Sequence, residues 1–241
     1  NSCKSFNMLR KSILVISDQH APYHHIDTLD FLKAIKLKYK PDCVVNIGDE
    51  MDWHSISFHD SHPGLYSPSH ELVVARKFLQ DLEKLFPKQH IMDSNHGSLV
   101  FRKATKYGLP HEIFKSYNDM LGVGKGWTWH DDLIIKASNG QNIYFCHGKF
   151  KVVLKVAQQY GMCTVQGHYH TSFKIDYWSN PNELLWGMQV GCLINMKSLA
   201  FEYNKLQKSR PVIGTGVIID GLPILIPMVL NKDGRWNRKI T

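Results

Sequence analysis

Residues 13–20, ILVISDQH, and residues 42–52, DCVVNIGDEMD, are built alike: a short aliphatic, β-branched run that ends abruptly on acidic or imidazole side chains. Runs of this length suit buried strands rather than helices. Between them lies HIDTLDFLKAIKLKYK at 25–40, with Ile26, Leu29, Ile35 and Tyr39 among its apolar positions. Asp27 is placed to cap a helix there, and Pro41 ends it. A second helix is expected over 67–87, SPSHELVVARKFLQDLEKLFP, opened by Ser67 and Glu71 in the manner of a capping box and closed by Pro87. A third strand, QHIMDSN, follows at 89–95. Strand, helix, strand, helix, strand predicts parallel strands with helices packed on them.

The second half reads differently. DLIIKA and NIYFCHG straddle Ser138-Asn139-Gly140-Gln141, a hairpin signal. A helix is expected over 149–161, then strands at CTVQGH, SFKIDYW, LLWGMQVG, VIGTGVIID and PILIPMVL, the last two forming a hairpin about Gly221. The segment 97–127, broken by Gly and Pro, is the least legible and is expected to be partly helical. Residues 1–11 carry charge but no apolar run and read as a tail or expression remnant, with 12–241 as one domain.

Bulk properties narrow the classes. No apolar run approaches the roughly 18 residues of a membrane span. Lysine and arginine exceed aspartate and glutamate by 29 − 21 = 8, which favours anionic partners, although the cations are scattered. The five cysteines, Cys3, Cys43, Cys146, Cys163 and Cys192, form no CxxC. Three of them sit in or beside apolar runs, as reduced thiols of a cytoplasmic protein do.

Chemistry collects where the strands end. Asp18-Gln19-His20 follows the first strand; Gly48-Asp49 and Asp52 follow the second; Asn95-His96 follows the third; His147-Gly148 and Gly167-His168-Tyr169-His170 follow later ones. Any one of these, Asn95-His96-Gly97 above all, is most simply a polar turn. Five at successive strand ends are not, because ligands of α/β sheets gather beyond the strands' carboxyl ends. Asp-x-His and His-x-His on extended backbone point both donors to one side. Mixed carboxylate and imidazole donors suit divalent Mn, Fe, Zn or Co, and the lack of thiolate disfavours a closed structural zinc. Asp18, His20, Asp49, Asn95, His147, His168 and His170 exceed the needs of one ion and fit two ions sharing a carboxylate.

The ordered series SDQH, GDEMD, SNHG, CHG and GHYH resembles the five-block signature of the calcineurin-like metallophosphoesterases, covering roughly residues 13–172. The resemblance implies a four-layer α/β/β/α sandwich of two mixed sheets flanked by helices, with two divalent ions (Mn, Fe, Zn, Co, Mg or Ni) at the strand ends. It implies that Asp18, His20 and His170 hold one ion, that Asn95, His147 and His168 hold the other, and that Asp49 bridges them. His96 would be the acid facing the phosphate, with Asp52 orienting it. The implied reaction is attack on phosphorus by a metal-bridging hydroxide.

Two departures stand out: Ser94 replaces the family's usual glycine, and Gly97 its usual acid. The loop carrying His54, His59, His62 and His70 is expected to wall the metals, with Phe58 or Trp53, which stands where the family often has arginine, available to stack a base. Arg102 is expected to reach an anionic substrate. The expected activity is phosphomonoester hydrolysis of a small substrate such as a (deoxy)nucleoside 5′-monophosphate, as in phage-type 5′-deoxyribonucleotidases. The alternative is a phosphodiesterase or nuclease acting on nucleic acid. A non-catalytic binding module is disfavoured, since a scaffold has no use for seven ligands and the histidine.

Overall fold

Side chains alternate across Ser12–Ile16 (β2): Ile13 and Val15 face one way, Leu14 and Ile16 the other, and all four are fully buried. A strand buried on both faces must lie in an inner layer, and the rest of the fold follows from that. The computed structural model describes residues 4–57, 64–198 and 209–240.

One sheet runs in the order Leu222–Pro227 (β12), Gly214–Ile219 (β11), β2, Cys43–Asn46 (β3), Gln89–Met92 (β4) and Trp127–His130 (β5). Strands β2 to β5 are parallel, whereas β11 is antiparallel to both its neighbours. The second sheet runs Lys4–Arg10 (β1), Leu133–Ala137 (β6), Asn142–Cys146 (β7), Cys163–Gln166 (β8), Leu184–Gln189 (β10) and Lys174–Ser179 (β9). It is also mixed. Residues 4–10, expected as a tail, are instead its edge strand, parallel to β6. An edge strand needs only ladder hydrogen bonds on one side, so it requires no apolar run.

Ile13, Val15 and Val45 of one sheet meet Leu133, Phe145, Val165 and Met188 of the other in a single buried cluster. On the outer face of the first sheet, Leu14 and Ile16 pack against Phe31, Leu32 and Ile35 of helix Thr28–Tyr39 (α1) and Phe78, Leu79 and Leu82 of Pro68–Leu85 (α2). Tyr144 and Cys146 cover the other outer face with Val156 of the helix Val153–Tyr160. The four layers are the expected α/β/β/α sandwich. Each large side chain so buried contributes about 1.5–3 kcal/mol of transfer free energy.

Both expected hairpins form, β6–β7 across Asn139-Gly140 and β11–β12 across Asp220-Gly221, whose φ angles of 47° and 82° suit a two-residue turn. The segment 97–127 contains Leu99–Lys106 (α3), a 3₁₀ turn at His111–Ile113 and Tyr117–Leu121 (α4). The strand β5, in Trp-Thr-Trp-His, lay hidden at its end.

Two expected caps resolve differently. Ser67 caps α2 by accepting from His70 N–H (3.4 Å), but Glu71 stands four residues on, too far for a capping box. Its buried carboxylate takes the N–H of His54 (3.0 Å) and the N–H and hydroxyl of Ser55 (3.3 and 2.8 Å), anchoring the loop beside the strand ends. Asp27 begins α1 without capping it and accepts instead from the Arg235 guanidinium (Nε, 2.9 Å) and Trp236 N–H (2.8 Å).

Candidate metal centre

All five donor blocks converge at the carboxyl ends of β2, β3, β4, β7 and β8. The turns that bring them together are strained: Asp18, His20, Asp49 and His168 have φ of 49°, 50°, 49° and 68°. For residues with a Cβ this left-handed backbone costs of order 1–3 kcal/mol each, and it persists where surrounding bonds over-determine it. Here Asp18 N–H donates to the Gly48 carbonyl (3.1 Å), His20 N–H to the Asp49 carbonyl (2.8 Å) and Gly167 N–H to the His147 carbonyl (2.9 Å). Gly167 is obligatory, since a Cβ there would lie 2.4 Å from Asp18 Oδ2.

The hydrogen bonds already made at the centre determine what else it can hold. His147 donates Nδ1–H to the Ile47 carbonyl (2.8 Å), so in the neutral ring Nε2 is a bare acceptor. That atom faces Asn95 Oδ1 (2.8 Å), Asp49 Oδ2 (3.2 Å) and His168 Nδ1 (3.2 Å). His20 donates Nδ1–H to Asp52 Oδ1 (2.6 Å), and its Nε2 faces His170 Nε2 (3.2 Å), Asp49 Oδ2 (3.5 Å) and Asp18 Oδ1 (3.9 Å). These are two acceptor-lined hollows that share one oxygen of Asp49. Acceptors buried against acceptors repel unless a cation lies between them.

Protons are the alternative cation, and the acidities follow. Burial alone would push the Asp18 and Asp49 carboxyls up, but the neighbouring imidazoles, His170 and His20 for one and His147 and His96 for the other, hold both well below the ordinary range. Burial opposes the charging of His147 and His20, yet Asp49 lifts His147 to about 9, and Asp18 with Asp52 raises His20 strongly. The groups Asp18/His20/His170 and Asp49/His147/His168 each bring their donor atoms within 4.8 Å of one another, in reach of one ion apiece. Mixed oxygen and nitrogen donors with no thiolate fit a divalent ion. A third group, His20/Asp52/His96, is satisfied by hydrogen bonds through His20 Nδ1 and needs no ion.

His96 stands beside this centre as expected, its N–H on Asp49 Oδ1 (3.0 Å) and its side chain 26 % exposed. Asp52 does meet His96, through its backbone rather than its side chain. Its carboxylate bonds His20 and lies 3.6 Å from His96 Nδ1, whereas its backbone carbonyl accepts from His96 Nδ1. The strand-end turn carries this carbonyl towards the His96 ring and leaves the side chain to His20.

Both sequence departures belong to one arrangement. The Ser94 hydroxyl accepts from Asp49 N–H (2.9 Å) and Gly97 N–H (3.0 Å), tying two strand ends together. A Cβ on Gly97 would lie 2.8 Å from that hydroxyl and 3.5 Å from the buried carboxylate of Glu50. Burial raises the Glu50 carboxyl to about 7. This residue, inside GDEMD but not a motif position, occupies the side of the turn where an acid at position 97 would project.

The expected substrate wall is only partly present. Trp53 is corrected: it is 5 % exposed and packed in the core beneath the helices, so it offers no face to a base. His54 opens a 3₁₀ turn, with Nδ1 3.7 Å from Asp52 Oδ2. Arg102 lies on the exposed side of α3 and donates to the Asn95 carbonyl, in the same cleft as His147 and His168. Phe58, His59 and His62 lie outside the described residues. His70 is exposed against Tyr66. Near the start of α1, His24 stacks on Phe78, and His25 is buried with Nε2 on the Gly234 carbonyl. Lys149, directly after CHG, and Asp132 also reach this cleft. Neither carries a motif, and only adjacency to His147 could have flagged Lys149.

No protein-family model matches the chain. The Gene 54 protein of Mycobacterium phage D29 is 28% identical over 245 residues, covering 92% of this chain and 95% of that protein. Among solved structures, Vacuolar Protein Sorting 29 from Cryptosporidium parvum aligns with a TM-score of 0.49 and 14% identity over 97% of this chain and 98% of that one. Zinc-complexed Vps29 from Entamoeba histolytica gives 0.48 and 12% over 90% and 93%. The Pseudomonas putida nuclease MPE gives 0.38 and 11% over 88% and 87%. Likenesses this low leave the weight on the chain's own sheet order and donors. Five signature blocks, in order, converge between two mixed sheets, the arrangement that the resemblance to the calcineurin-like metallophosphoesterases implies.

Proposed function

We propose that this chain is a metal-dependent phosphomonoesterase. The observation that carries the reading is the pair of acceptor-lined hollows sharing Asp49 Oδ2, with His96 beside them. Asp18, His20 and His170 would hold one divalent ion, Asn95, His147 and His168 the other, and Asp49 both. Such a pair, when bound, activates a water and neutralises charge on the phosphoryl oxygens.

The chain's own residues do the rest. The Ile47 carbonyl and the Asp52 carboxylate fix the tautomers of His147 and His20, so that each presents Nε2 as a lone pair. The Asp52 carbonyl holds His96 Nδ1, which leaves Nε2 to carry a proton to the departing oxygen. Arg102, at the cleft, is placed to meet an anionic group.

A nucleoside 5′-monophosphate is the substrate we favour, and the mycobacteriophage relative supports a phage-type enzyme. Nucleic acid is the second reading, supported by the net charge of +8. The four buried free thiols among the described residues, with no helix there long and apolar enough to cross a membrane, support our placing it in a reducing cytoplasm.

Hydrolysis of phenyl phosphate against bis-(p-nitrophenyl) phosphate, with Mn²⁺, Co²⁺ or Mg²⁺, tests the assignment. Monoester turnover alone is expected. Diester turnover alone would replace the reading with the nuclease, and no turnover with metal bound would favour a binding module.

A further inference from the structure

We propose that the cleft beside Asn95, His147 and His168 is a leaving-group subsite that reads the hydroxyls of a sugar and not an attached base, and that Lys149 and Asp132 set this preference. The inference rests on the phosphomonoesterase reading above.

The cleft has a volume of about 420 Å³, within the usual size of a small-molecule site. Both residues are built into it. Asp131 and Asp132 form the crossing at which the chain passes from β5 in one sheet to β6 in the other. Asp93 N–H donates to the His130 carbonyl (2.7 Å), which pins that crossing to the end of β4. Lys149 is held from the other side: its N–H donates to Gln166 Oε1 (3.1 Å), and the Gln166 amide donates to the Phe150 carbonyl (2.6 Å). Gly148, between His147 and Lys149, lies so close to His168 that a Cβ would come within 2.8 Å of its Cβ.

Lys149 Nζ contacts both oxygens of Asp132, at 3.2 and 3.3 Å. Donor and acceptor side by side at the cleft are what neighbouring hydroxyls satisfy, one accepting from the ammonium and one donating to the carboxylate. Arg102 and Ser98 also line the cleft.

Two observations disfavour the other leaving groups. Among the described residues, the rings lining the cleft are the imidazoles of His147 and His168, with Trp53 in the core, so the described wall gives a base no large aromatic face to stack on. Asp93, Asp131 and Asp132 outnumber Arg102 and Lys149, which opposes a nucleic-acid backbone with its repeated phosphates.

The test measures kcat/KM of the Mn²⁺-loaded protein for ribose 5-phosphate, the four deoxynucleoside 5′-monophosphates, a short oligonucleotide and phenyl phosphate. Ribose 5-phosphate should exceed phenyl phosphate, and the four nucleotides should lie within severalfold of one another. In Asp132→Asn and Lys149→Met the preference for ribose 5-phosphate over phenyl phosphate should fall by about tenfold, the value of one hydrogen bond to a charged group. Asp132→Asn keeps the side-chain shape, so it reports even if Lys149→Met does not fold. Phenyl phosphate hydrolysis with that preference unchanged in Asp132→Asn would overturn the subsite while leaving the phosphomonoesterase reading intact. A base dependence beyond tenfold, or preference for the oligonucleotide, would overturn it too. No hydrolysis of any ester with metal bound defeats the phosphomonoesterase reading itself, and the subsite with it.

Discussion

Asp52→Asn separates the role the motif assigns to this residue from the one its geometry supports. The Asp52 carboxylate accepts Nδ1–H of His20 at 2.6 Å, with both side chains 2 % exposed. A charge-assisted bond in so dry a place is worth about 1.5–3 kcal/mol. Asparagine keeps the shape and an acceptor oxygen but loses the charge that makes His20 a strong ligand. Partners behind a metal ligand typically change metal affinity by about 10–100-fold, which matches that energy at 1.4 kcal/mol per decade. His96 is held by the backbone carbonyl of residue 52, which the substitution leaves in place. Calorimetric titration with Mn²⁺ should therefore show one of two sites weakened by about 10–100-fold. At saturating Mn²⁺, kcat should return to within severalfold of the parent. Unchanged Mn²⁺ affinity with kcat collapsed at saturation would refute this and return the carboxylate to His96.

Three further outcomes follow from other contacts. His96→Ala should retain both metal ions by elemental analysis while losing about 10²–10⁴-fold in kcat, the range for a general acid; loss of the metals would make His96 a ligand. Gly97→Asp should destabilise the chain by about 1–3 kcal/mol, read from urea unfolding, because its Cβ meets the Ser94 hydroxyl and its carboxylate meets that of Glu50. Asp27, held at about 2 by the hydrogen bond from Arg235, stabilises the fold fully above its ordinary value of 3.8 and loses that contribution as pH falls through 2. Discounted for the half-exposed Arg235, Asp27→Asn should cost about 1–2 kcal/mol at pH 7, and the gap to the parent should close towards pH 2; a gap independent of pH would exclude the ion pair as its source.

What was legible in the sequence was what periodicity and strand-end chemistry encode. ILVIS, CVVN and QHIM declare themselves as strands because both faces are buried, and the donors that follow them are fixed by where those strands stop. The edges were harder. Residues 4–10 and Trp127–His130 pair on one side only, or are too short to show a period, so nothing in their composition demanded a strand. Trp53 was misread because position after a motif says nothing about which way a ring points; its left-handed φ of 53° and core packing are tertiary facts. The partners that tune the site, the carbonyls of Ile47 and Asp52 and the hydroxyl of Ser94, are backbone or generic groups with no sequence signature. The strained φ values at Asp18, His20, Asp49 and His168 were equally invisible, since glycine is the usual sign of such backbone and here the chemistry kept it out.

The proposed chemistry needs two cations that share Asp49. Titration of metal-stripped protein with Mn²⁺, followed by calorimetry with elemental analysis and repeated on Asp49→Ala, tests it most directly. The parent should bind two ions per chain, with protons released as His147 and His20 surrender theirs, and both sites should weaken together in the variant. A single ion in the parent, or an Asp49→Ala protein that loses one site and keeps the other at full affinity, would contradict it.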